Sequence, residues 1–213
     1  MKTIIPIIFD IETLATSDAL DSFDESEVAV GALKDPEKIK AKIDAAKKKH
    51  VEEGALSPLT GRVDKIGILN ESQKVEILEG PSEEEPAVEY ESLKQFWHYF
   101  TEMREGAVFV GYNIESFDLP FLIRRSWHHQ IHVPHGVFKG RFLNDAWFLD
   151  LRNLWTFYNK FEKGKLSHVS KFLGGPSESG DGAQYGNMTD DERREHLIAD
   201  LHMTHYVYKR MRQ

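Results

Sequence analysis

The sequence predicts an α/β protein in which helices flank a mixed five-stranded sheet. Short apolar segments rich in β-branched residues are typical of buried strands, and amphipathic helical patterns separate the later ones. The second and third strands are close enough in sequence to form a hairpin across a turn at residues 70–72. The predicted strands are residues 4–9, 63–70, 74–78, 107–112 and 147–151.

We expect the 213 residues to form one domain, with an insertion at about residues 15–60 between the first and second strands. An acidic, irregular stretch at residues 13–33 leads into it. In the helix that follows, Asp35 is a suitable N-cap, Pro36 fits the first helical position, and Gly54 can end the helix. This helix is rich in lysine and has only a narrow apolar stripe. It is therefore either a solvated helix packed along one edge or a basic arm that reaches a substrate or partner.

Three further helices complete the predicted fold. The second of them covers residues 119–127, and the third begins with a capping box between Thr189 and Glu192 and extends to about residue 210. The first carries apolar residues at helical spacing, which we expect in the core. These residues are Leu93, Phe96, Trp97, Phe100 and Met103.

The composition excludes several classes of protein. Hydrophobic residues make up 40% and charged residues 29%, as in globular rather than disordered or fibrous chains. The absence of cysteine removes disulfides, thiolate nucleophiles and cysteine-based metal sites. A net charge of −8 excludes a strongly basic coat, although an enzyme that holds nucleic acid through metal ions does not need one. No secretion signal or run of ~20 apolar residues is recognisable, so we expect a cytoplasmic protein without membrane association.

Four carboxylates fall where the predicted fold brings them together. Asp10 and Glu12 end the first strand and, being two residues apart, project to the same face. Asp118 follows the fourth strand, and Asp200 lies in the last helix. Each position alone has an ordinary explanation, such as a helix cap for Asp118. Together, four carboxylates can hold two Mg²⁺ or Mn²⁺ ions about 4 Å apart, a centre suited to phosphodiester hydrolysis.

One histidine is placed to act beside these carboxylates. At ~100° per residue, His196 lies about 40° from Asp200 around the last helix, whereas His202 and His205 face elsewhere. An imidazole with an ordinary pKa of about 6.5 suits a general base that prepares a water molecule near neutral pH. Without the carboxylates, a histidine that only packs or hydrogen-bonds would be the simpler interpretation.

The segments that carry these residues resemble the three exonuclease motifs of the DEDD superfamily. They are FDIET at residues 9–13, VGYN at 110–113 with FD at 117–118, and HLIAD at 196–200. This superfamily contains 3′→5′ exonucleases with a ribonuclease-H-like fold, including the proofreading domains of DNA polymerases. Over nearly its whole length the chain is similar to stand-alone bacterial and phage exonucleases related to the family-B polymerase proofreading domain.

The resemblance implies a role for each matching residue. It makes Asp10, Glu12, Asp118 and Asp200 the ligands of two Mg²⁺ or Mn²⁺ ions and, with His196, the catalytic residues. In the family, the tyrosine branch places Tyr four residues before the last Asp and the histidine branch places His five before it. This chain has a histidine at the tyrosine spacing. Positions that contact the substrate in the family correspond to Thr13, Leu14, Asn113 and Phe117.

A basic strip beside the second motif is a further candidate for substrate binding. Between residues 119 and 144 there is no Asp or Glu, whereas Arg124, Arg125, Lys139 and Arg141 are basic. Such a strip would follow the phosphates of a nucleic acid; a helix and loop that merely lack acids are the alternative. The four histidines of the same stretch lack a familiar zinc-ligand spacing.

The resulting prediction is a two-metal enzyme that shortens single-stranded DNA from its 3′ end and releases nucleoside 5′-monophosphates. Two alternatives stay open: a 3′→5′ exoribonuclease, and an inactive module that binds nucleic acid or a protein. A ribonuclease-H-like endonuclease would have a more basic chain and a different carboxylate spacing. The expected partner is a nucleic-acid 3′ end, and a replication or repair partner is not identified by the sequence.

Overall fold

The computed structural model describes residues 4–21, 23–79, 85–140, 142–159, 161–162, 164–177 and 182–212. The chain divides into two compact units, which we call the sheet unit (residues 1–12 and 63–213) and the insertion unit (residues 13–62). No helix among the described residues is both long and apolar enough to cross a lipid bilayer.

The described strands include all five that the sequence predicts. They are β1 (Ile5–Ala15), β2 (Gly61–Leu69), β3 (Val75–Leu78), β4 (Ala107–Gly111), β5 (Phe138–Lys139), β6 (Phe142–Leu143) and β7 (Phe148–Asp150). The α-helices are α1 (Ser17–Asp21), α2 (Pro36–Gly54), α3 (Glu85–Met103), α4 (Asp118–His128), α5 (Leu151–Trp155), α6 (Leu166–Phe172) and α7 (Asp190–Met211). Two short 3₁₀ helices lie at Glu25–Glu27 and Gly182–Asn187.

The main sheet has the strand order β3-β2-β1-β4-β7. Strand β4 is parallel to both β1 and β7, whereas β2 and β3 form an antiparallel hairpin, so the sheet is mixed as predicted. A second, two-stranded sheet formed by β5 and β6 was not predicted. Strands of two residues are too short for a periodic pattern to reveal them.

Two apolar clusters cover the two faces of the main sheet. On β1, Ile7, Phe9 and Ile11 belong to the cluster that contains the buried side chains of α3 and α4. Ile8 belongs instead to the cluster that contains Leu197 and Leu201 of α7. Because successive side chains of a strand point to opposite faces, Asp10 and Glu12 share the face of Ile8. Strand β1 therefore directs both carboxylates toward the side covered by α7.

Helix α7 packs closely on the sheet because β2 has a glycine at position 67. A Cβ atom added there would lie 2.7 Å from Cδ1 of Leu201 and 2.9 Å from Cγ of Leu197. The capping box predicted for the start of α7 is present, with Thr189 and Glu192 hydrogen-bonded in both directions. The beginning of the helix and its closeness to β2 together determine where its polar side chains lie.

The insertion unit is organised around α2, whose N-cap is Asp35, as predicted. The Asp35 side chain accepts a hydrogen bond from the Glu37 amide at 3.0 Å, and Nε2 of His50 lies 2.9 Å from the Ala19 carbonyl oxygen of α1. Ile39 and Ile43 are half-buried among exposed lysines. The prediction of an irregular stretch directly after Glu12 is wrong at its start, because β1 continues to Ala15 and α1 follows.

Candidate active site

Asp10 and Asp118 meet at one edge of the sheet. Their carboxyl groups share a hydrogen bond, and Oδ1 of Asp118 also accepts a hydrogen bond from the Ile11 amide at 3.2 Å. Strands β1 and β4 are parallel neighbours with Ile8 opposite Val110, so Asp10 lies level with the residue that follows the end of β4, although β1 itself continues to Ala15. Asp118 is the first residue of α4 and is buried, whereas the N-cap of this helix is Phe117.

His196 and Asp200 approach the same edge from α7. Nδ1 of His196 lies 2.8 Å from Oε1 of Glu12 and 3.9 Å from Oδ2 of Asp200. One potential ligand atom from each of these three residues lies within 4.8 Å of the others. This agrees with the helical spacing, which predicted that His196 and Asp200 share one face of the last helix.

The carboxylates are crowded, and their pKa values show it. Burial raises the pKa of Asp10 well above its ordinary value, and the charges of Asp118, Glu12 and Asp200 raise it further. Burial raises the pKa of Asp118 to about 7, although hydrogen bonds from Asp10 and the Ile11 amide oppose the change. Burial also raises the pKa of Glu12, and the hydrogen bond with His196 offsets part of this effect. A divalent cation would remove this repulsion, and oxygen-rich donor sets of this kind suit Mg²⁺ or Mn²⁺.

The contact with Glu12 also orients the His196 ring. When Nδ1 carries a proton and donates a hydrogen bond to the Glu12 carboxylate, Nε2 has the lone pair that can accept a proton from water. The carboxylate then stabilises the imidazolium that forms. The arrangement is therefore chemically suited to general-base catalysis.

A buried polar group beside His196 was missed by the sequence analysis. The hydroxyl of Tyr185 donates a hydrogen bond to Oδ2 of Asp64 at 2.8 Å, and Nε of Arg193 lies 3.2 Å from the same oxygen. The Tyr185 ring is centred 6.0 Å from the His196 ring. The Asp64 charge also contributes to the raised pKa of Glu12. Tyr185, Asp64 and Arg193 therefore form a polar group next to the His196–Glu12 pair.

A charged pair in a predicted buried strand was the signal that could have identified this group. Asp64 and Lys65 are consecutive in β2, and both are buried. Nζ of Lys65 lies 2.6 Å from Oδ1 of Asp190 at the start of α7, so the pair joins the strand to the helix. Buried charges require partners, and two of them side by side in an apolar strand predict a polar network.

The loop after β4 holds two of the predicted substrate residues. Asn113 has a φ of 70°, a left-handed conformation that is uncommon outside glycine. Its amide donates to Oδ1 of Asp150 at 2.9 Å, and its side-chain oxygen accepts a hydrogen bond from Arg152 at 3.3 Å. Phe117 is half-buried, and its ring contacts that of Phe121 with centroids 5.6 Å apart. Asn113 is thus held in place by Asp150 and Arg152, and Phe117 also packs against the core.

The other predicted substrate residues have different surroundings. Thr13 is buried and Leu14 half-buried in the part of β1 that belongs to the insertion unit, and their role stays a prediction. Arg124 is exposed and lines a surface pocket of about 400 Å³ together with Trp127 and Phe142.

The assignment of Arg125 to the substrate is corrected by its contacts. Arg125 is buried, and its guanidinium donates to both carboxylate oxygens of Glu89, at 2.8 and 2.6 Å. Glu89 also accepts a hydrogen bond from the Val63 amide at 2.8 Å and has Nε2 of His129 at 2.6 Å. The helical period does not separate the two arginines, because the exposed Arg124 likewise follows the buried Phe121 by three residues.

The predicted basic strip therefore contains fewer exposed cations among the described residues than expected. Lys139 is exposed and pairs with Asp145 at 3.1 Å, and Arg141 lies outside the described residues. Of the cations predicted to form the strip, Arg124 and Lys139 are the described ones with exposed side chains.

Comparison with known proteins identifies the family. Residues 62–213 match a family described as a predicted 3′-5′ exonuclease related to the exonuclease domain of PolB. The chain belongs to this exonuclease family. The matched segment contains Asp118, His196 and Asp200, and it begins after Asp10 and Glu12. No curated protein matches the sequence.

The fold of this family member is also found in a solved polymerase structure. The chain is similar to the family B DNA polymerase from the hyperthermophilic archaeon Pyrobaculum calidifontis, with a TM-score of 0.64 and 17% sequence identity. The similarity covers 98% of this chain and 24% of the polymerase chain, so the chain spans about a quarter of the polymerase's length. This similarity confirms the ribonuclease-H-like α/β fold.

Proposed function

We propose that the protein is a metal-dependent 3′→5′ exonuclease that shortens single-stranded DNA and releases nucleoside 5′-monophosphates. The observation that carries the proposal is the convergence of Asp10, Glu12, Asp118 and Asp200 at one edge of the sheet, with His196 bonded to Glu12. Membership of a family of predicted 3′-5′ exonucleases supports the reaction class. DNA is favoured as the substrate because the solved relative is described as a DNA polymerase.

The four carboxylates would hold two ions of Mg²⁺ or Mn²⁺. Such ions, when bound, stabilise the charge that develops on a phosphate and lower the pKa of water. Nε2 of His196 takes the proton from the attacking water, and Glu12 keeps the imidazole in the orientation for this transfer. The water oxygen bonds to phosphorus while the bond between phosphorus and the 3′ oxygen breaks. The departing 3′ oxygen takes a proton from solvent, so the shortened strand keeps a 3′-hydroxyl, and the terminal nucleotide leaves with a 5′-phosphate.

A 5′-labelled single strand tests the reaction directly. DNA and RNA of the same sequence are incubated with Mg²⁺ or Mn²⁺, beside an Asp10→Ala variant and a sample with EDTA. We expect a ladder that shortens from the 3′ end, stronger on DNA, and absent with the variant and with EDTA. Cleavage of circular single-stranded DNA would contradict exonuclease action. If neither substrate shortens with either metal, the inactive binding module becomes the better explanation.

A further inference from the structure

An exposed aromatic surface lies between α5 and α6, and none of its residues belongs to the carboxylate cluster. We call it the aromatic turn, and its members are Phe157, Tyr158 and Phe161. Their exposed fractions are 89%, 67% and 94%, respectively. Large aromatic residues are normally buried to a high degree, and neighbouring exposed ones mark an interaction site.

Backbone hydrogen bonds hold the part of the aromatic turn that contains Phe157 and Tyr158. The Tyr158 amide donates to the Asn153 carbonyl at 2.9 Å, and the Asn159 amide donates to the Thr156 carbonyl at 2.9 Å. Phe157 and Tyr158 have φ angles of 49° and 60°, a left-handed conformation that bulky residues rarely adopt. The rings are thus exposed to solvent on a hydrogen-bonded turn. The unusual backbone conformation does not bury them.

Residues before and after the aromatic turn are hydrogen-bonded to the second exonuclease motif. Arg152 donates to the side-chain oxygen of Asn113 at 3.3 Å, and the hydroxyl of Tyr112 donates to the Gly164 carbonyl at 3.0 Å. Helix α5 begins directly after Asp150, which holds the loop beside Asp118, and its five residues span only about 7 Å. The aromatic turn would therefore lie close to a strand whose 3′ end occupies the candidate active site.

The charge of the same segment favours a polyanion. From Arg152 to Phe172 the sequence contains five Lys or Arg residues and one acidic residue, whereas the whole chain has a net charge of −8. Lys165 and Lys171 are exposed, and Glu162 is the one acid. Aromatic rings next to basic side chains are the combination that binds single strands, because bases stack on the rings while cations contact the phosphates.

We propose that the aromatic turn is a stacking surface for unpaired bases of the strand whose 3′ end lies in the active site. The inference rests on the proposed function for the position of that 3′ end. Stacking on Phe157 and Phe161 raises affinity for longer single strands and does not take part in the chemical step. A strand too short to reach the turn gains nothing from it.

The test combines binding and hydrolysis in a Phe157→Ala/Phe161→Ala variant. Its matched control is Leu56→Ala/Leu59→Ala, which removes two exposed leucines of the insertion unit. Binding of a labelled oligothymidylate of about 20 nucleotides is followed by fluorescence anisotropy in EDTA; we expect the aromatic variant to weaken Kd at least about 10-fold. In hydrolysis, KM for the same strand rises similarly, while kcat and the turnover of a strand of about three nucleotides stay unchanged. The control variant should behave as the wild type in every assay.

Conservative variants separate stacking from simple hydrophobic contact. Phe157→Trp/Phe161→Trp should keep wild-type affinity, and Phe157→Leu/Phe161→Leu should lose it, because leucine is apolar but has no π-face. Circular dichroism checks that each variant is folded, which we expect since the replaced side chains are almost fully exposed.

Each outcome has a distinct meaning. If the wild type binds single strands through the aromatic turn but hydrolyses none, the stacking inference stands and the proposed function fails. If the wild type hydrolyses DNA and the alanine variant has unchanged Kd and KM on the long strand, the stacking inference is overturned. A variant that changes the molecular mass in light scattering without changing Kd also overturns it, since a second copy of the chain would then cover the surface.

Discussion

Nδ1 of His196 lies 2.8 Å from Oε1 of Glu12, although 184 positions of sequence separate the two residues. This contact joins the first strand to the last helix at the point where four carboxylates converge. The side chains of both residues are largely buried, so solvent does little to screen their interaction. The pair therefore determines how the imidazole is oriented beside these carboxylates.

Replacing His196 tests its proposed role as general base. We expect His196→Ala to lower kcat about 10²- to 10⁴-fold with a much smaller effect on KM, because proton transfer is lost and the carboxylates remain. The matched control is His202→Ala, an exposed histidine on the same helix, which should keep wild-type activity. Single-turnover hydrolysis of 5′-labelled DNA measures the effect. Activity of His196→Ala within twofold of wild type would rule out the role.

Asp10→Asn should abolish activity and at the same time stabilise the metal-free protein. The carboxyl of Asp10 is buried against Asp118, Glu12 and Asp200, so a neutral amide relieves repulsion at neutral pH. We expect Tm without metal to rise by about 2–4 °C per kcal/mol gained. Addition of Mg²⁺ or Mn²⁺ should raise Tm of the wild type but hardly that of the variant. Asp44→Asn, an exposed change in α2, should alter neither value; a lower metal-free Tm for Asp10→Asn would contradict the repulsion argument.

Glu89 should make the free energy of unfolding depend on pH in the acidic range. Burial alone would raise its pKa, but hydrogen bonds from His129, Arg125 and the Val63 amide outweigh burial and lower the pKa from 4.5 to about 2. The folded-state pKa is thus below the unfolded value, so the stabilisation is fully present above about pH 4.5 and is lost as the pH falls toward 2. Glu89→Gln should reduce the free energy of unfolding by roughly 3–5 kcal/mol at neutral pH. Because Gln cannot titrate, the deficit should shrink in acid.

Urea unfolding at a series of pH values measures this dependence. Glu102→Gln, an exposed change on the same helix, serves as the control and should follow the wild-type curve. A deficit of Glu89→Gln that is the same at pH values of about 6 and about 3 would show that the carboxylate is not the source of the pH dependence.

Gly111, at the end of β4, should not tolerate a side chain. A Cβ atom there would overlap Cγ2 of Ile114 and lie 2.9 Å from the Phe9 carbonyl oxygen, which is backbone and cannot move aside cheaply. We expect Gly111→Ala to lower the free energy of unfolding by about 1–3 kcal/mol and to disturb the loop that leads to Asp118. Gly106→Ala is the control, because a Cβ at Gly106 meets no atom within 4 Å. Equal stability of the two variants in urea would contradict the packing argument.

Tyr185→Phe should show whether Tyr185 positions His196 or only stabilises the fold. The variant removes the hydroxyl that donates to Asp64 and leaves the ring beside His196 in place. We expect kcat to fall about 10-fold with KM unchanged, an effect typical of residues that orient a catalytic group. Tyr206→Phe, which also removes one hydroxyl hydrogen bond near α7, should leave kcat unaltered. A change in Tm alone for Tyr185→Phe would assign it a purely structural role.

The sequence alone determined the five strands of the main sheet, the longer helices and the direction of several side chains. Period-two alternation placed Asp10 and Glu12 on one face of β1, and the helical period placed His196 beside Asp200. The start of α2 at Asp35 and Pro36 followed from capping chemistry. These features depend on residues a few positions apart, so a periodic pattern contains the information needed to predict them.

Contacts between distant segments were decided only by the tertiary structure. Glu12 meets His196, and Tyr185 meets Asp64, because β1 and β2 are neighbours in the sheet and α7 packs against Gly67. Local periodicity does not specify the order of strands or which helix covers which face. Arg124 and Arg125 are neighbours in the sequence and differ in the same way. Arg124 is exposed, whereas Arg125 is buried and bonded to Glu89 of α3. Burial of a charge depends on the partner that folding brings to it.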